Sequence, residues 1–88
     1  GGYRSRIVEE NELVTVRTKT SGILVLKAKC GDHLNVGDEI AEIIDTYEGD
    51  VIEVIKSPCD GRLFYHGSNP LIYSNTAIAK VIKDIDII

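Results

Sequence analysis

The sequence predicts an all-β domain of about seven or eight short strands. Apolar and β-branched residues fall in runs of roughly four to eight residues, the usual length of a strand. Glycine, asparagine and proline breakers separate these runs, and such residues mark turns. No window of about 11 residues or more keeps the 3.6-residue period of an amphipathic helix. We therefore expect no long helix.

The length and composition fit a single domain. The chain has 88 residues, of which 43% are hydrophobic and 27% are charged. A chain of this length is too short for two separate cores. We interpret Gly1 and Gly2 as the remnant of an expression tag, and residues 3–88 as a single domain that is either a small protein or a fragment of a longer chain.

The charge balance argues against nucleic acid and membranes as partners. The net charge is −4, and the ten Lys and Arg residues are scattered among fourteen acids without forming a basic stripe. Binding to a phosphate backbone needs such a stripe.

No apolar run approaches the roughly 18–20 residues that span a bilayer, and the beginning of the chain lacks the apolar centre of a secretion signal. We expect a cytoplasmic protein.

Breakers delimit the strands on both sides of the centre of the chain. Gly37 is expected to supply a left-handed backbone in the turn before Asp38. Pro58 ends the strand before it because proline has no N–H to donate to a ladder. The predicted strands outside the centre are residues 7–8, 14–18, 23–28, 62–65, 71–73 and 76–82.

The centre of the chain is predicted to be a β-hairpin. Residues 38–44 and 50–56 are rich in β-branched residues, and residues 45–49 join them. Gly49 can take the positive φ that a tight reversal needs. The acids of this hairpin are interpreted as a solvated face that discourages edge-to-edge pairing. They are Asp45, Glu48, Asp50 and Glu53.

An internal repeat relates the two halves of the chain. Gly22 and the apolar run after it match Gly61 and the run after it, 39 residues later. Ile40 and its neighbours match Ile78 and its neighbours, 38 residues later. A single deletion therefore aligns the halves. Two such halves can interlock about a pseudo-twofold axis and share one core.

The turn motifs, taken in order, resemble those of a known fold. They are Ser21-Gly22-Ile23, Cys30-Gly31-Asp32, Val36-Gly37-Asp38 and Ser57-Pro58-Cys59-Asp60-Gly61. Together they look like the barrel-sandwich hybrid fold of biotinyl and lipoyl domains. Within that fold, the chain is similar to the C-terminal domain of the succinylglutamate desuccinylase and aspartoacylase family of zinc-dependent deacylases. Residues 70–78 look like that family's tail, with Asn75 where a glycine is usual. The resemblance covers about residues 14–82.

The resemblance implies a non-catalytic role for this chain. The family's zinc ligands and catalytic glutamate lie in a larger N-terminal domain, and nothing here matches a His-x-x-Glu zinc motif. We therefore expect no catalytic, cofactor-binding or metal residue in this chain, and zinc only in the missing catalytic domain. The resemblance implies that the chain packs on that domain, where it shapes substrate access or a homo-oligomer contact. The parent protein would hydrolyse amide bonds.

Two other functions stay open. A biotin or lipoate carrier needs a lysine at the hairpin tip, whereas residues 45–50 read Asp, Thr, Tyr, Glu, Gly and Asp. Lys56 lies at the far end of the returning strand. A free-standing interaction module, such as the lipoyl-like part of a secretion adaptor, would carry long helical heptads between the halves, and here only a short hairpin joins them.

The cysteines and histidines form a weak candidate metal site. Cys30 and His33 have a Cys-x2-His spacing, and Cys59 with His66 would complete a Cys2His2 set for zinc. The repeat does not place the two cysteines equivalently, so we favour coincidence. A disulfide between them is disfavoured in a reducing cytoplasm. Neither cysteine sits in an elbow or at a helix N-terminus that would make it a nucleophile.

Three tyrosines are candidates for a protein contact. Tyrosine buries a large area while keeping a polar end, which suits an interface. The candidates are Tyr47, Tyr65 and Tyr73. We also expect the isolated domain to expose apolar area that its parent protein covers.

Overall fold

Every regular element in the described part of the chain is a β-strand. The structure is a computed structural model that describes residues 13–65 and 69–84. The strands are β1 (Leu13–Arg17), β2 (Gly22–Leu26), β3 (His33–Leu34), β4 (Glu39–Ile44), β5 (Val51–Lys56), β6 (Gly61–Tyr65), β7 (Leu71–Ile72) and β8 (Ala77–Lys83). The all-β prediction is confirmed. The candidate strand at residues 7–8 lies outside the described residues.

The strands form two antiparallel sheets that interlock the halves of the chain. Sheet 1 has the order β1-β8-β6-β3, and sheet 2 has the order β5-β4-β2-β7. Strands β1 to β4 form the first half, and β5 to β8 form the second. Each sheet thus takes two strands from each half. The repeat makes β1, β2, β3 and β4 equivalent to β5, β6, β7 and β8. Exchanging each strand of sheet 1 for its equivalent gives the strand order of sheet 2, as the predicted pseudo-twofold repeat requires.

The same close backbone approach occurs once in each half. A Cβ at Gly22 would overlap the carbonyl oxygen of Ile44 and lie 2.8 Å from Cγ2 of Ile43. A Cβ at Gly61 would overlap the carbonyl oxygen of Ile82 and lie 2.9 Å from the side chain of Val81. Only glycine lets these strands approach so closely, which explains why the repeat begins with glycine in both halves.

The core is built from pairs of residues that occupy equivalent positions in the two halves, which we call repeat-equivalent pairs. For residues of β1 and β2 the equivalent lies 39 positions later in the chain, and for residues of β3 and β4 it lies 38 positions later. Members of each pair are buried to nearly the same extent, and they form one apolar cluster. The pairs are Val16 and Ile55, Leu34 and Ile72, Ile40 and Ile78, Ala41 and Ala79, and Ile43 and Val81. Neither half can bury these side chains alone, so each completes the core of the other.

The turns before β4 and β8 are equivalent as well. Gly37 has φ +90°, which confirms the left-handed backbone predicted for it, and Asn75 takes the same conformation with φ +61°. Gly37 donates its N–H to the carbonyl oxygen of Ser57 (2.9 Å), and Asn75 donates its N–H to that of Thr18 (2.8 Å). Both acceptor residues are buried. Each turn is therefore attached to the other half of the chain.

The structure departs from the prediction chiefly at β3. No strand was predicted at residues 33–34, because two residues are too short to show a period. Their pairing is entirely nonlocal, with His33 opposite Arg62 and Leu34 opposite Gly61. The central hairpin was predicted correctly to within one residue, since its strands begin at Glu39 and Val51.

Substitution of Gly61 by alanine should destabilise the domain strongly. The added Cβ meets backbone of β8 rather than a movable side chain, so the sheet must shift, at a cost of about 2–3 kcal/mol. Gly37→Asn is the matched control, because a Cβ there has nothing within 4 Å and the equivalent position already holds asparagine. We expect the control to lose less than about 1 kcal/mol. Urea unfolding measures the free energy of unfolding of both variants. Equal losses of stability would contradict the conclusion that only the Gly61 position excludes a Cβ.

Candidate functional site

The hairpin tip between β4 and β5 is a tight, internally bonded turn. Asp45 donates its N–H to the carbonyl oxygen of Asp50 (2.8 Å), and Gly49 donates to the carbonyl oxygen of Asp45 (3.0 Å). The Asp45 carboxylate accepts N–H bonds from Tyr47 and Glu48, both at 3.3 Å. Gly49 has φ +76°. The tip therefore has a defined backbone shape, and the side chains of the residues between Asp45 and Asp50 project from it.

The tip lacks the side-chain chemistry that a cofactor-carrier domain needs. A swinging cofactor arm is attached through a lysine amine, and residues 45–50 contain no lysine. Tyr47 occupies the middle of the turn with 94% of its surface exposed. Lys56 pairs with Glu39 at the opposite end of the hairpin. The tip cannot carry biotin or lipoate through an amide bond.

Among the described residues, Cys30, His33 and Cys59 do not form a metal site. Nε2 of His33 lies 2.7 Å from a carboxylate oxygen of Asp84, so this ring nitrogen already has a partner. Cys30 is exposed and Cys59 is partly buried, while His66 lies outside the described residues. Within residues 13–65 and 69–84, no group of three His, Cys, Asp or Glu side chains could hold a metal ion.

Both cysteines are free thiols, and Cys59 is poorly suited to act as a nucleophile. Burial raises the pKa of the Cys59 thiol. The positive charge of Lys83 opposes this shift, and the carboxylates of Asp60 and Asp84 add to it. Because the thiolate is the reactive form, the surroundings of Cys59 reduce its reactivity.

Glu53 is a structural hydrogen-bond acceptor, so the interpretation of all four hairpin acids as a solvated face is wrong for this residue. Its carboxylate accepts the backbone N–H of Lys19 (3.0 and 3.1 Å) and that of Thr20 (3.0 Å). It also accepts the Thr20 hydroxyl at 2.8 Å. These bonds attach the turn after β1 to β5, the edge strand of the other sheet. Sequence spacing gave no signal of this contact because the partners are more than 30 residues apart.

The hydrogen bonds to Glu53 set its protonation state. Partial burial alone would raise the pKa of its carboxyl group. The bond from the Thr20 side chain, the backbone N–H bonds and the nearby charge of Lys19 outweigh burial, and the pKa of Glu53 falls below its ordinary value of 4.5. The ionised form is thus the one that the fold selects.

The three tyrosines have different roles. The hydroxyl of Tyr65 donates to the carbonyl oxygen of Ala28, and its ring packs against the core, so Tyr65 is structural rather than a free contact residue. Tyr73 is 70% exposed. Tyr65 and Tyr73 line a groove of about 380 Å³ together with Leu24, Leu26 and Pro70. Tyr47 and Tyr73 are the two candidates that can meet a partner directly.

The fold and its sites define a small, duplicated two-sheet β domain whose projecting hairpin lacks an attachment lysine. In the described residues, no helix is long and apolar enough to cross a membrane. No protein-family model matches the chain, and no curated protein matches it.

A solved structure shares the fold. It is described as a succinylglutamate desuccinylase/aspartoacylase from Shewanella frigidimarina NCIMB 400, and it superposes with a TM-score of 0.73 at 18% sequence identity. The match covers 85% of this chain but only 21% of that one. At this identity the likeness shows the fold alone. The chain corresponds to about one fifth of the length of the protein it resembles.

Acidification should weaken the domain through Glu53. Because its folded-state pKa lies below the unfolded value, the stabilisation is complete above about pH 4.5. It is lost as the pH falls through the lower folded-state pKa. Glu53→Ala, which removes every hydrogen bond, should cost about 1–2 kcal/mol at pH 7. Glu53→Gln keeps one acceptor oxygen and should lose less stability than Glu53→Ala. Because glutamine does not titrate, this variant should also lose the acid sensitivity that Glu53 contributes.

Urea unfolding at pH 7 and at pH 3.5 measures these effects. Glu48→Gln is the control, because Glu48 is an exposed carboxylate at the hairpin tip. An unchanged acid dependence in Glu53→Gln would show that this carboxylate does not carry the effect.

Proposed function

We propose that this domain is a non-catalytic accessory domain of a larger zinc-dependent deacylase of the succinylglutamate desuccinylase and aspartoacylase type. One observation carries the proposal: the fold is shared, over 85% of this chain, with about one fifth of a protein described by that name. The order of the Gly-Asp and Ser-Pro-Cys-Asp-Gly turns, which first suggested the family, supports it independently.

The chemistry of the described residues supports an accessory role. The hairpin tip has no amine, His33 is paired with Asp84, and burial disfavours the thiolate of Cys59. Hydrolysis of an amide by zinc requires a metal with an open coordination position and a general base beside it. We place both in the catalytic domain of the parent protein, which this domain packs against in the cytoplasm. There it shapes the substrate entrance or a contact between subunits.

A carrier domain is the second candidate, and one observation favours it. The hairpin between β4 and β5 is tight and projects an exposed residue, Tyr47, from its tip. An attachment lysine would be needed at residues 45–50, however. The two functions differ in a property that is simple to measure, the mass of the protein after exposure to a cofactor ligase.

The carrier function is tested by coexpressing the chain with a biotin ligase or a lipoate ligase. We expect the intact mass to be that of the unmodified polypeptide, because the tip offers no amine. A known biotin acceptor expressed in the same cells serves as the positive control. A mass increase equal to one biotin or one lipoyl group would overturn the accessory function in favour of the carrier.

The accessory function is tested with the complete native open reading frame. We expect it to encode a His-x-x-Glu zinc motif before this domain, and the full protein to bind about one zinc ion per chain, as measured by plasma mass spectrometry. Zinc removal should abolish hydrolysis of N-acyl amino acids, whereas the 88-residue chain should hold no zinc. An open reading frame without a second domain, or a full protein without zinc, would refute the proposal.

A further inference from the structure

Sheet 2 has an apolar row on its outer surface that crosses all four strands. Leu71 pairs with Ile23, and Ile23 pairs with Ile44. Ile44 in turn pairs with Val51. Leu71, Ile23 and Val51 are 48%, 41% and 47% exposed. Outward positions of an antiparallel sheet with one solvated face are ordinarily polar, so a continuous apolar row is unusual there.

A second row beside the first extends the apolar surface. Val25 pairs with Glu42, and Glu42 pairs with Val54. The two valines are exposed, and Glu42 forms an ion pair with Lys27 at 3.3 Å. The two rows together form what we call the outer apolar face, defined by Leu71, Ile23, Ile44, Val51, Val25 and Val54. Within the second row, Glu42 lies between the two valines, where Lys27 pairs with its charge.

The duplicated fold provides an internal control for this face. On sheet 1 the positions equivalent to Leu71, Ile23 and Val54 hold His33, Arg62 and Thr15. These three residues are exposed. The backbones of the two sheets are arranged alike, so the fold does not demand apolar side chains at these positions. The equivalents of Val25 and Ile44, by contrast, are the apolar residues Phe64 and Ile82, so the two sheets differ at the other three positions.

The size of the face decides between two kinds of occupant. Its partly exposed side chains add up to roughly 300–500 Å², the size of the largest patch on a typical monomer. Two separate copies of a chain need about 800 Å² from each partner to associate stably. A domain tethered in the same polypeptide needs less, because the link gives it a millimolar effective concentration. The structural neighbour, in which the shared fold makes up 21% of the chain, has room for such a domain.

We infer that the outer apolar face of sheet 2 is the surface on which the rest of the parent polypeptide docks. The inference rests on the proposed function and adds the face of contact. Sheet 1, which has His33, Arg62 and Thr15 at three of the equivalent outer positions, stays in solvent. The exposed Tyr47 lies at the tip that ends β4 and begins β5, so it projects from the end of the docked sheet.

Cysteine labelling in the full native protein tests this assignment. Val25 and Phe64 are repeat-equivalent outward residues on sheets 2 and 1, and they are 38% and 39% exposed. Val25→Cys and Phe64→Cys are therefore a matched pair. Maleimide labelling is followed at each site by peptide mass spectrometry, so that native thiols elsewhere do not interfere. Circular dichroism melting confirms that each variant is folded.

In the 88-residue chain we expect both sites to label at rates within about a factor of two, since their exposures match. In the full protein, labelling at position 25 should slow by about tenfold or more, while labelling at position 64 should not. Equal labelling of the two sites in the full protein would overturn the inference. Slow labelling of position 25 in the 88-residue chain, with a dimer in sedimentation, would assign the face to a second copy instead.

Hydroxyl-radical footprinting of the unsubstituted protein gives a second measurement. Ile23, Leu71 and Val54 should be protected in the full protein relative to the 88-residue chain, and Phe64 should not.

Failure of the docking inference can be distinguished from failure of the proposed function. A zinc-containing second domain with an unprotected sheet 2 refutes the docking face alone, whereas an open reading frame without a second domain refutes both.

Discussion

The close approach of strand backbones at Gly22 and Gly61 is the constraint on which the rest of the structure depends. At each glycine a central strand passes so near its neighbour that a Cβ would overlap a carbonyl oxygen. Each approach joins neighbouring strands of the same half, β2 with β4 and β6 with β8, and the isoleucines, leucines and valines of both halves form one cluster. Since neither half is complete alone, we infer that the halves fold as one cooperative unit.

The turns and edges reinforce the same arrangement. The left-handed residues Gly37 and Asn75 each bond to the half of the chain to which they do not belong. Glu53 adds a further connection, from β5 to the turn after β1. This last contact has no equivalent in the repeat, because the residue at the matching position is Val14. The core thus follows the twofold pattern closely, whereas the surface does not.

The repeat constrains the core of the domain more tightly than its surface. Pairing and burial constrain the equivalent core residues in the same way, so they stay alike. Outward residues have no such constraint from the fold, and three outer positions that are apolar on sheet 2 are polar on sheet 1. The hairpin tip shows the same freedom, since its backbone is well defined while its side chains lack the amine of a carrier.

Local patterns in the sequence were sufficient for the all-β class, the central hairpin, the turn residues and the repeat. Each of these depends on neighbouring residues: alternation, glycine and proline placement, or a match between two segments. Other features appeared only in three dimensions. They include the pairing of β3 with β6, the burial of the Tyr65 hydroxyl against Ala28, the role of Glu53, and the outer face of sheet 2. All of these join residues that are distant in the chain, and the geometry that brings them together is set by packing of the whole core rather than by any one segment.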